Sequence, residues 1–386
     1  MKNLIEINFQ NIKKVGIRVD FNVPTNDSFQ ITDNTRLLRA KDTIDFILNN
    51  ECKILLLSHF GRPREEFDEK FSFTNLIDQF SDILGYEIHL LPYEEFLQNG
   101  LKQFNESTIK ITLLDNIRFF EGEKKNDEMF SQSITNELDL FINEAFSASH
   151  RSHASVNQMA KNILSAPGLN FSKEVTAIND IKNSTKRKLA IIGGSKVSTK
   201  IKTLLSLTQS CSNIFIGGAM ANNFLKYQGL AVGQSLLEED SEQMIKDIYT
   251  LANKSGCEIH LPTDVVLNDE QSLPIDRLSD QNQFSILDLS NHSIDVLEQL
   301  VQRSEIVLWN GPMGMIEDPR FAQGSSKLAH LLANSSCEVV IGGGDTLLAI
   351  NIAGVSFDHY HFVSTAGGAF LEALEDKELP GIIALQ

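Results

Sequence analysis

The sequence predicts an α/β protein in two domains, each built on a parallel sheet flanked by helices. Short β-branched or apolar runs alternate with stretches whose apolar residues recur at intervals of three and four. Several of the runs are nearly continuous in apolar residues, as strands are when both faces of a parallel sheet are covered. The chain of 386 residues is long for one core and suits two.

Val15 to Val19 is the first strand, and the helix after it places Leu37, Ala40, Ile44, Ile47 and Leu48 on one face. Lys53 to Ser58 follows as a second strand, completing a βαβ unit. Ile109 to Leu114 then runs into Asp115-Asn116-Ile117-Arg118, and Leu138 to Ile142 into Asn143-Glu144-Ala145-Phe146. Beyond His153 the pattern is irregular until Asn170-Phe171-Ser172, which reads as the start of a helix reaching Asn183. Ser184 to Lys188 is a polar break before strand Leu189 to Ile192. The expected division is a first domain over 1–170, a connecting helix over 171–186 and a second domain over 187–370.

Four strands of the second half end in glycine. They are Leu189 to Ile192 before Gly193-Gly194, Ile214 to Ile216 before Gly217-Gly218, Val339 to Ile341 before Gly342-Gly343-Gly344, and Phe362-Val363 before Ser364-Thr365-Ala366-Gly367-Gly368. A glycine turn between strand and helix lets the backbone approach a phosphate and aims free N–H groups at it. One such turn is ordinary turn chemistry, whereas four in one domain point to a nucleotide. None fits GxxxxGK[ST] or GxGxxG, which disfavours a P-loop and a dinucleotide fold. Lys196 and Lys200, read as lying at the start of the next helix, are four apart and able to reach phosphate oxygens together. As cations in a first turn they oppose the helix dipole unless an anion is there too. Asp345 is an acid in an anion-attracting loop. It serves as a helix cap, or as a partner for Mg²⁺ beside phosphates, and the roles are compatible.

The first half offers cations. Arg36, Arg62, Arg118 and Arg151, with His59, His150 and His153, each follow a strand end or open a helix, which places them along one sheet edge. Four converging guanidinium forks make a site for a multiply charged small molecule. Zinc is disfavoured because Arg151 lies between His150 and His153. The formal net charge of −17 argues against a nucleic-acid surface. The four cysteines match neither a zinc spacing nor a CxxC pair. No apolar run approaches the roughly 20 residues that cross a bilayer, and the first six residues carry no secretory stretch, so the expectation is a cytoplasmic protein without membrane partners.

In order along the chain stand Arg18-Val-Asp-Phe-Asn-Val-Pro24, Thr32-Asp-Asn-Thr-Arg36, Ser58-His-Phe-Gly-Arg-Pro63, Asn116-Ile-Arg-Phe119, Ala148-Ser-His-Arg-Ser-His-Ala154, Gly193-Gly-Ser-Lys-Val-Ser-Thr-Lys200, Trp309-Asn-Gly-Pro-Met-Gly314 and Gly342-Gly-Gly-Asp-Thr346. Together they closely resemble the phosphoglycerate kinase family, nearly end to end, finishing in Glu378-Leu-Pro-Gly-Ile382. The resemblance implies two Rossmann-like domains joined by a hinge helix, with the tail of about 371–386 folding back on the first. It implies that Asp20, Phe21, Asn22, Arg36, His59, Phe60, Gly61, Arg62, Arg118 and Arg151 hold 3-phosphoglycerate or 1,3-bisphosphoglycerate. It further implies that Lys196, Lys200, Glu317, Gly343, Gly344, Asp345 and Thr346 serve ATP or ADP, with Asp345 near Mg²⁺. Arg36, Lys196, Gly367 and Gly368 are the implied catalytic residues, and the implied assembly is a monomer.

The implied reaction passes a phosphoryl group reversibly between an acyl phosphate and ADP. Its acceptor carboxylate is already ionised at neutral pH and needs no general base. The rival readings are a binding protein that keeps ligand affinity without turnover, and a dehydrogenase using the glycine loops for NAD. Retention of Arg36, Lys196, Lys200 and Asp345 favours the enzyme. Several positions depart from the family's usual pattern: Ser195, Thr199, Ser147, Phe370 and Ala366, the last replacing the first glycine of a triplet. Ala366 would be strained if its site required positive φ.

Overall fold

The computed structural model describes every residue except 65–66, 280–282 and 376–377. The chain divides into two units, Met1–Thr176 with Glu378–Gln386, and Ala177–Lys377. Among the described residues no helix is long and apolar enough to cross a membrane.

The first unit carries β1 (Lys14–Arg18), β2 (Lys53–Leu57), β3 (Ile88–Leu91), β4 (Ile111–Leu114), β5 (Leu140–Asn143) and β6 (Ser165–Pro167). They form one sheet in the order β3-β4-β2-β1-β5-β6, parallel throughout. From β1 the chain builds first toward β2 and later toward β5, so the order reverses between β1 and β5, where open α/β sheets bind ligands. The helix Thr35–Asn49 packs on this sheet through Leu37, Ala40, Ile44 and Ile47, the face its periodicity predicts. Strands β3 and β6 escape the sequence reading because they are short, and His89 and Ser165 interrupt their apolar pattern.

The helix read as Ser172 to Asn183 runs Leu169–Asn183, and the division between units falls within it. Its start is fixed by Glu144, buried just beyond β5, whose carboxylate accepts from the backbone N–H of Asn170 (3.0 Å) and Phe171 (3.4 Å). Burial pushes the Glu144 carboxyl up to about 8, against the opposing pull of those N–H groups. Gly168 leaves room for this cap, because a Cβ there would lie 1.6 Å from Glu144 Oε2 and displace the carboxyl.

The second unit carries β7 (Lys188–Ile192), β8 (Asn213–Ile216), β9 (Glu258–His260), β10 (Asp264–Leu267), β11 (Ser272–Pro274), β12 (Ile286–Leu289), β13 (Ile306–Asn310), β14 (Glu338–Gly342) and β15 (Phe362–Ser364). Its main sheet runs β15-β14-β13-β7-β8-β9, again parallel, with the reversal between β7 and β13. A second, antiparallel sheet of three strands, β11-β10-β12, closes its own small apolar cluster around Val265, Leu267 and Phe284. Sequence periodicity does not foresee it, since Asp264, Ser272 and Asp288 interrupt the apolar pattern of its short strands.

Two boundaries differ from expectation. Lys196 and Lys200 lie in a turn, and the next helix begins only at Ile201, with Lys200 as its N-cap. The expected tail from 371 splits: Gly368–Leu374 is a helix of the second unit, where Ser206 Oγ donates to Leu374 O at 2.9 Å. Only Glu378–Gln386 groups with the first unit, with Gly381 N donating to Ser149 O at 3.0 Å.

Candidate functional site

Each unit presents polar groups beyond the C-terminal ends of its strands, at its own point of strand reversal. In the first unit, the turn after β1 carries Asp20 and Asn22. Arg36 Nη1 donates to Asp20 Oδ2 at 2.9 Å and to Asn22 O at 3.2 Å, and Ser147 Oγ donates to the same Asp20 oxygen. Asn22 Oδ1 accepts from Gly61 N at 2.8 Å, tying the loop after β1 to the loop after β2. Gly61 sits at φ +59, and a Cβ there would meet the Phe71 ring at 2.3 Å.

Arg118 follows β4 in a turn capped by Asn116, whose side-chain oxygen accepts from Arg118 N at 3.1 Å. Its Nη1 donates to Gly61 O at 2.6 Å. Burial, with Arg151, Arg18 and Arg62 nearby, lowers its pKa to about 10, so it remains a cation at neutral pH. Arg62 is exposed, while Arg151 is half-buried and donates from Nε to His150 Nε2 at 3.1 Å. His59 is buried, and desolvation together with Arg18, Arg118, Arg36 and Arg151 holds its pKa well below the usual histidine range. The expected anion site is thus a set of guanidinium groups around one neutral imidazole.

Phe21 and Phe60, expected among the substrate-binding residues, bury their rings. Phe21 is fully buried against Phe80, with ring centroids 5.2 Å apart, and Phe60 packs between Phe71 and Phe73. What they can offer a ligand is backbone. Beneath the site lies a buried network absent from the set of candidate residues. Arg18 Nε donates to Ser155 Oγ at 2.8 Å, and Ser155 Oγ donates to Glu123 Oε1 at 2.7 Å. Burial acts to raise the Glu123 pKa, yet His153, Arg18 and Ser155 hold it below the ordinary range. In sequence Arg18 stands out as a cation ending an apolar strand, the one signal that could have found it.

In the second unit the glycines after β7, β8 and β13 pack on one another. A Cβ on Gly193 would meet Pro312 O at 2.0 Å, one on Gly218 would meet Gly194 N at 2.8 Å, and one on Gly311 would meet Gly193 O at 2.4 Å. Gly194, Gly218 and Gly311 also adopt positive φ. Lys200 Nζ enters this knot, donating to Gly193 O at 2.7 Å and to Asn310 Oδ1. Burial lowers its pKa to about 8, partly offset by Asp345. Asn310, which had no assigned role, also donates to Gly342 O at 2.6 Å and so links the loops after β7, β13 and β14. As the polar end of an otherwise apolar strand it was visible in sequence.

Gly343, at φ +100, caps the helix Gly344–Ile352, whose first turn exposes Asp345. Thr346 is fully buried. Its hydroxyl donates to Gly342 O at 2.8 Å and accepts from Gly311 N at 2.7 Å, so its side chain serves the loop rather than a ligand. A cavity of about 290 Å³ opens beside the knot, edged by Gly194, Ser195, Glu317 and Asp345 and floored by apolar residues including Leu236, Val265 and Met313. Lys196 is exposed nearby in sequence.

The positive φ after β15 belongs to Gly367 (+54), which caps the helix Gly368–Leu374; Ala366 is not among the positive-φ residues and is unstrained. Phe370 fills space against Gly342, where a Cβ would lie 2.4 Å from its ring. The four cysteines are free, and burial raises Cys211 to about 12 and Cys257 to about 11, which makes both thiols inert. No cluster of three or more His, Cys, Asp or Glu side chains suited to a metal occurs among the described residues.

The sequence matches the family "Phosphoglycerate kinase" over residues 4–377. It is 42% identical over 388 positions to the phosphoglycerate kinase of Prochlorococcus marinus strain MIT 9312, covering 97% of this chain and 95% of that protein. It is 36% identical to a Wolbachia relative of the same name, covering 97% and 96%. The fold is similar to the solved phosphoglycerate kinase of Coxiella burnetii (TM-score 0.87, 32% identity, covering 100% and 98%) and to that of Pyrococcus horikoshii OT3 (0.85, 25%, with the same coverage). A glycine cradle with a buried lysine on one unit, an arginine set on the other, and relatives matched along nearly their whole length lead to one conclusion: the chain belongs to the phosphoglycerate kinase family and is a phosphotransferase.

Proposed function

We propose that the first unit holds 3-phosphoglycerate or 1,3-bisphosphoglycerate through Arg36, His59, Arg62, Arg118, Arg151 and the Asp20–Asn22 turn, and that the second holds ADP or ATP. The observation that carries this reading is the pairing of chemistries. The guanidinium groups of Arg36, Arg118 and Arg151 act on His59 beyond the C-terminal ends of one sheet's strands, with Arg62 near Arg118. A main-chain glycine cradle containing Lys200 occupies the reversal of the other. The first suits a small polyanion, the second a phosphate chain.

The acceptor is a carboxylate, so the residues have no proton to remove from it. Their task is alignment and charge neutralisation. Arg36 leaves Asp20 and faces the transferring phosphoryl group, with Lys196 and the N–H groups of Gly367 and Gly368 as further donors. Lys200 and the backbone of Gly343 and Gly344 hold the nucleotide phosphates, and Glu317, at the edge of the cavity, also serves the nucleotide. Because the two ligands are assigned to different units, transfer requires closure about the helix Leu169–Asn183, which also keeps water from the acyl phosphate.

Two exposed carboxylates, Asp345 and Glu317, edge the cavity beside the phosphate cradle, and buried Asp288 is part of its lining. That donor set fits Mg²⁺, which keeps several waters and binds through one or two carboxylates and the substrate's phosphates. When bound, Mg²⁺ neutralises charge on the nucleotide phosphates. The working form is taken as a cytoplasmic monomer without nucleic-acid or membrane partners. A coupled assay with 3-phosphoglycerate and MgATP, omitting each in turn, tests the reading. Turnover that requires all three is expected, and its absence in the folded protein would leave the binding-protein alternative.

A further inference from the structure

We propose that Arg18 is a positioning residue: it fixes His59 as the neutral tautomer with its proton on Nε2, so that His59 meets the phosphoglycerate as an uncharged hydrogen-bond donor. The inference rests on the reading of the first unit as the phosphoglycerate site. Arg18 Nη2 lies 3.1 Å from His59 Nδ1. A guanidinium carries five N–H donors and no acceptor, so the bond requires Nδ1 to present its lone pair. The only ring proton then sits on Nε2.

Arg18 cannot turn away to relax this constraint. It is 2% exposed, its Nε donates to Ser155 Oγ at 2.8 Å and its Nη1 donates to Val19 O. Ser155 is itself anchored on Glu123, with Oγ donating at 2.7 Å and N at 2.8 Å. The planar fork is therefore held by two separate bonds while its third nitrogen meets the imidazole. The charged groups facing His59 are Arg18 from β1, Arg36 from the helix after it, Arg118 beyond β4 and Arg151 beyond β5, all cations. A protonated ring would face four like charges in a desolvated position, so Nδ1 stays free to accept at every working pH.

The experiment is two-bond ¹H–¹⁵N correlation spectroscopy on the full chain labelled at its nine histidines, with His59 assigned by its absence in His59→Gln. Without substrate, His59 is expected to show a protonated Nε2 and a bare Nδ1, unchanged between about pH 5 and pH 8, a window that spans the ordinary histidine pKa near 6.5. A proton on Nδ1, or an imidazolium forming within that window, overturns the proposal. Because no turnover is involved, this result stands apart from any failure of the phosphotransfer reading. Arg18→Met is expected to give mixed tautomers and a titrating His59. Its KM for 3-phosphoglycerate, divided by that of the parent at each pH, should then rise severalfold from pH 6 to pH 8 as the new imidazolium is lost, with kcat changing less. Taking the ratio removes the titration of the substrate phosphate near pH 6. Arg18→Lys, which keeps a donor-only cation, should restore the parent tautomer. An unaltered His59 spectrum in folded Arg18→Met refutes the assignment. If Arg18→Met does not fold, Ser155→Ala, which removes the Nε anchor together with the hydroxyl's bond to Glu123 but leaves the Arg18 charge in place, should broaden or shift the His59 signals, and an unchanged spectrum there counts against the proposal.

Discussion

Arg36 is held at rest by Asp20, at 2.9 Å, with its side chain about one-third exposed. An ion pair this open is weak, worth about 1 kcal/mol or less, so transfer of the guanidinium to a more highly charged phosphoryl group costs little. Ser147, which also donates to Asp20 Oδ2, satisfies part of that carboxylate and makes release easier still. Arg36→Ala should therefore lower kcat about a hundred- to a thousandfold, the magnitude of losing one preorganised transition-state donor. Circular dichroism and MgADP affinity should stay near the parent values, and unchanged turnover would remove Arg36 from the chemistry. These charged residues were legible in sequence because each follows a strand end, where chemistry collects in open sheets. That the rings of Phe21 and Phe60 are buried was not legible, because a motif does not reveal which way a side chain points. Side-chain direction there is set by contacts with Phe71, Phe73 and Phe80, far along the chain.

At the scale of the element, the decisive pieces are turns. Gly218 sits at φ +63 with Gly194 N, Gly194 O and Pro312 O all within 2.9 Å of where a Cβ would stand. These are backbone atoms and cannot swing aside. Gly218→Ala should destabilise the second unit by ~2 kcal/mol or more and abolish nucleotide binding, read by thermal melts and ADP titration. A normal melt with retained affinity would contradict this packing. The helix Leu169–Asn183 gives a pH prediction through Glu144. Its carboxyl is raised to about 8 in the folded chain, whereas an unfolded glutamate titrates near 4.3. The folded state therefore binds more protons across that interval, so Glu144 contributes most below about pH 4, and its contribution is lost as pH rises toward 8. Denaturation midpoints should fall between pH 5 and pH 8 in the parent and fall less in Glu144→Gln; equal slopes would refute the burial effect. The helix itself was readable from its start signal. Its cap was not, because Glu144 reaches it from β5, and the turn of Lys196 and Lys200 was misread as helix because sequence spacing alone cannot place the first helical hydrogen bond.

For the whole molecule, two units with separate cores predict ligand-specific stabilisation. In scanning calorimetry MgADP should raise the unfolding of the second unit and 3-phosphoglycerate that of the first, each by ~2.7 kcal/mol at a hundredfold excess over Kd. Identical shifts of one undivided transition by either ligand would show the units to be thermally inseparable. Alternation of apolar strands and helices made the two-domain α/β plan legible, while the antiparallel sheet β11-β10-β12 was hidden because Asp264, Ser272 and Asp288 break its apolar runs. The interlocked glycines after β7, β8 and β13 bear on how such a protein can change over generations. The nearest contacts of Gly193, Gly218 and Gly311 are main chain, so a variant at one of these three cannot be rescued by trimming a neighbour's side chain alone. Substitutions that leave the backbone path intact are thereby confined to the rim, at exposed positions such as Ser195 and Thr199, where a new side chain meets solvent before it meets the cradle.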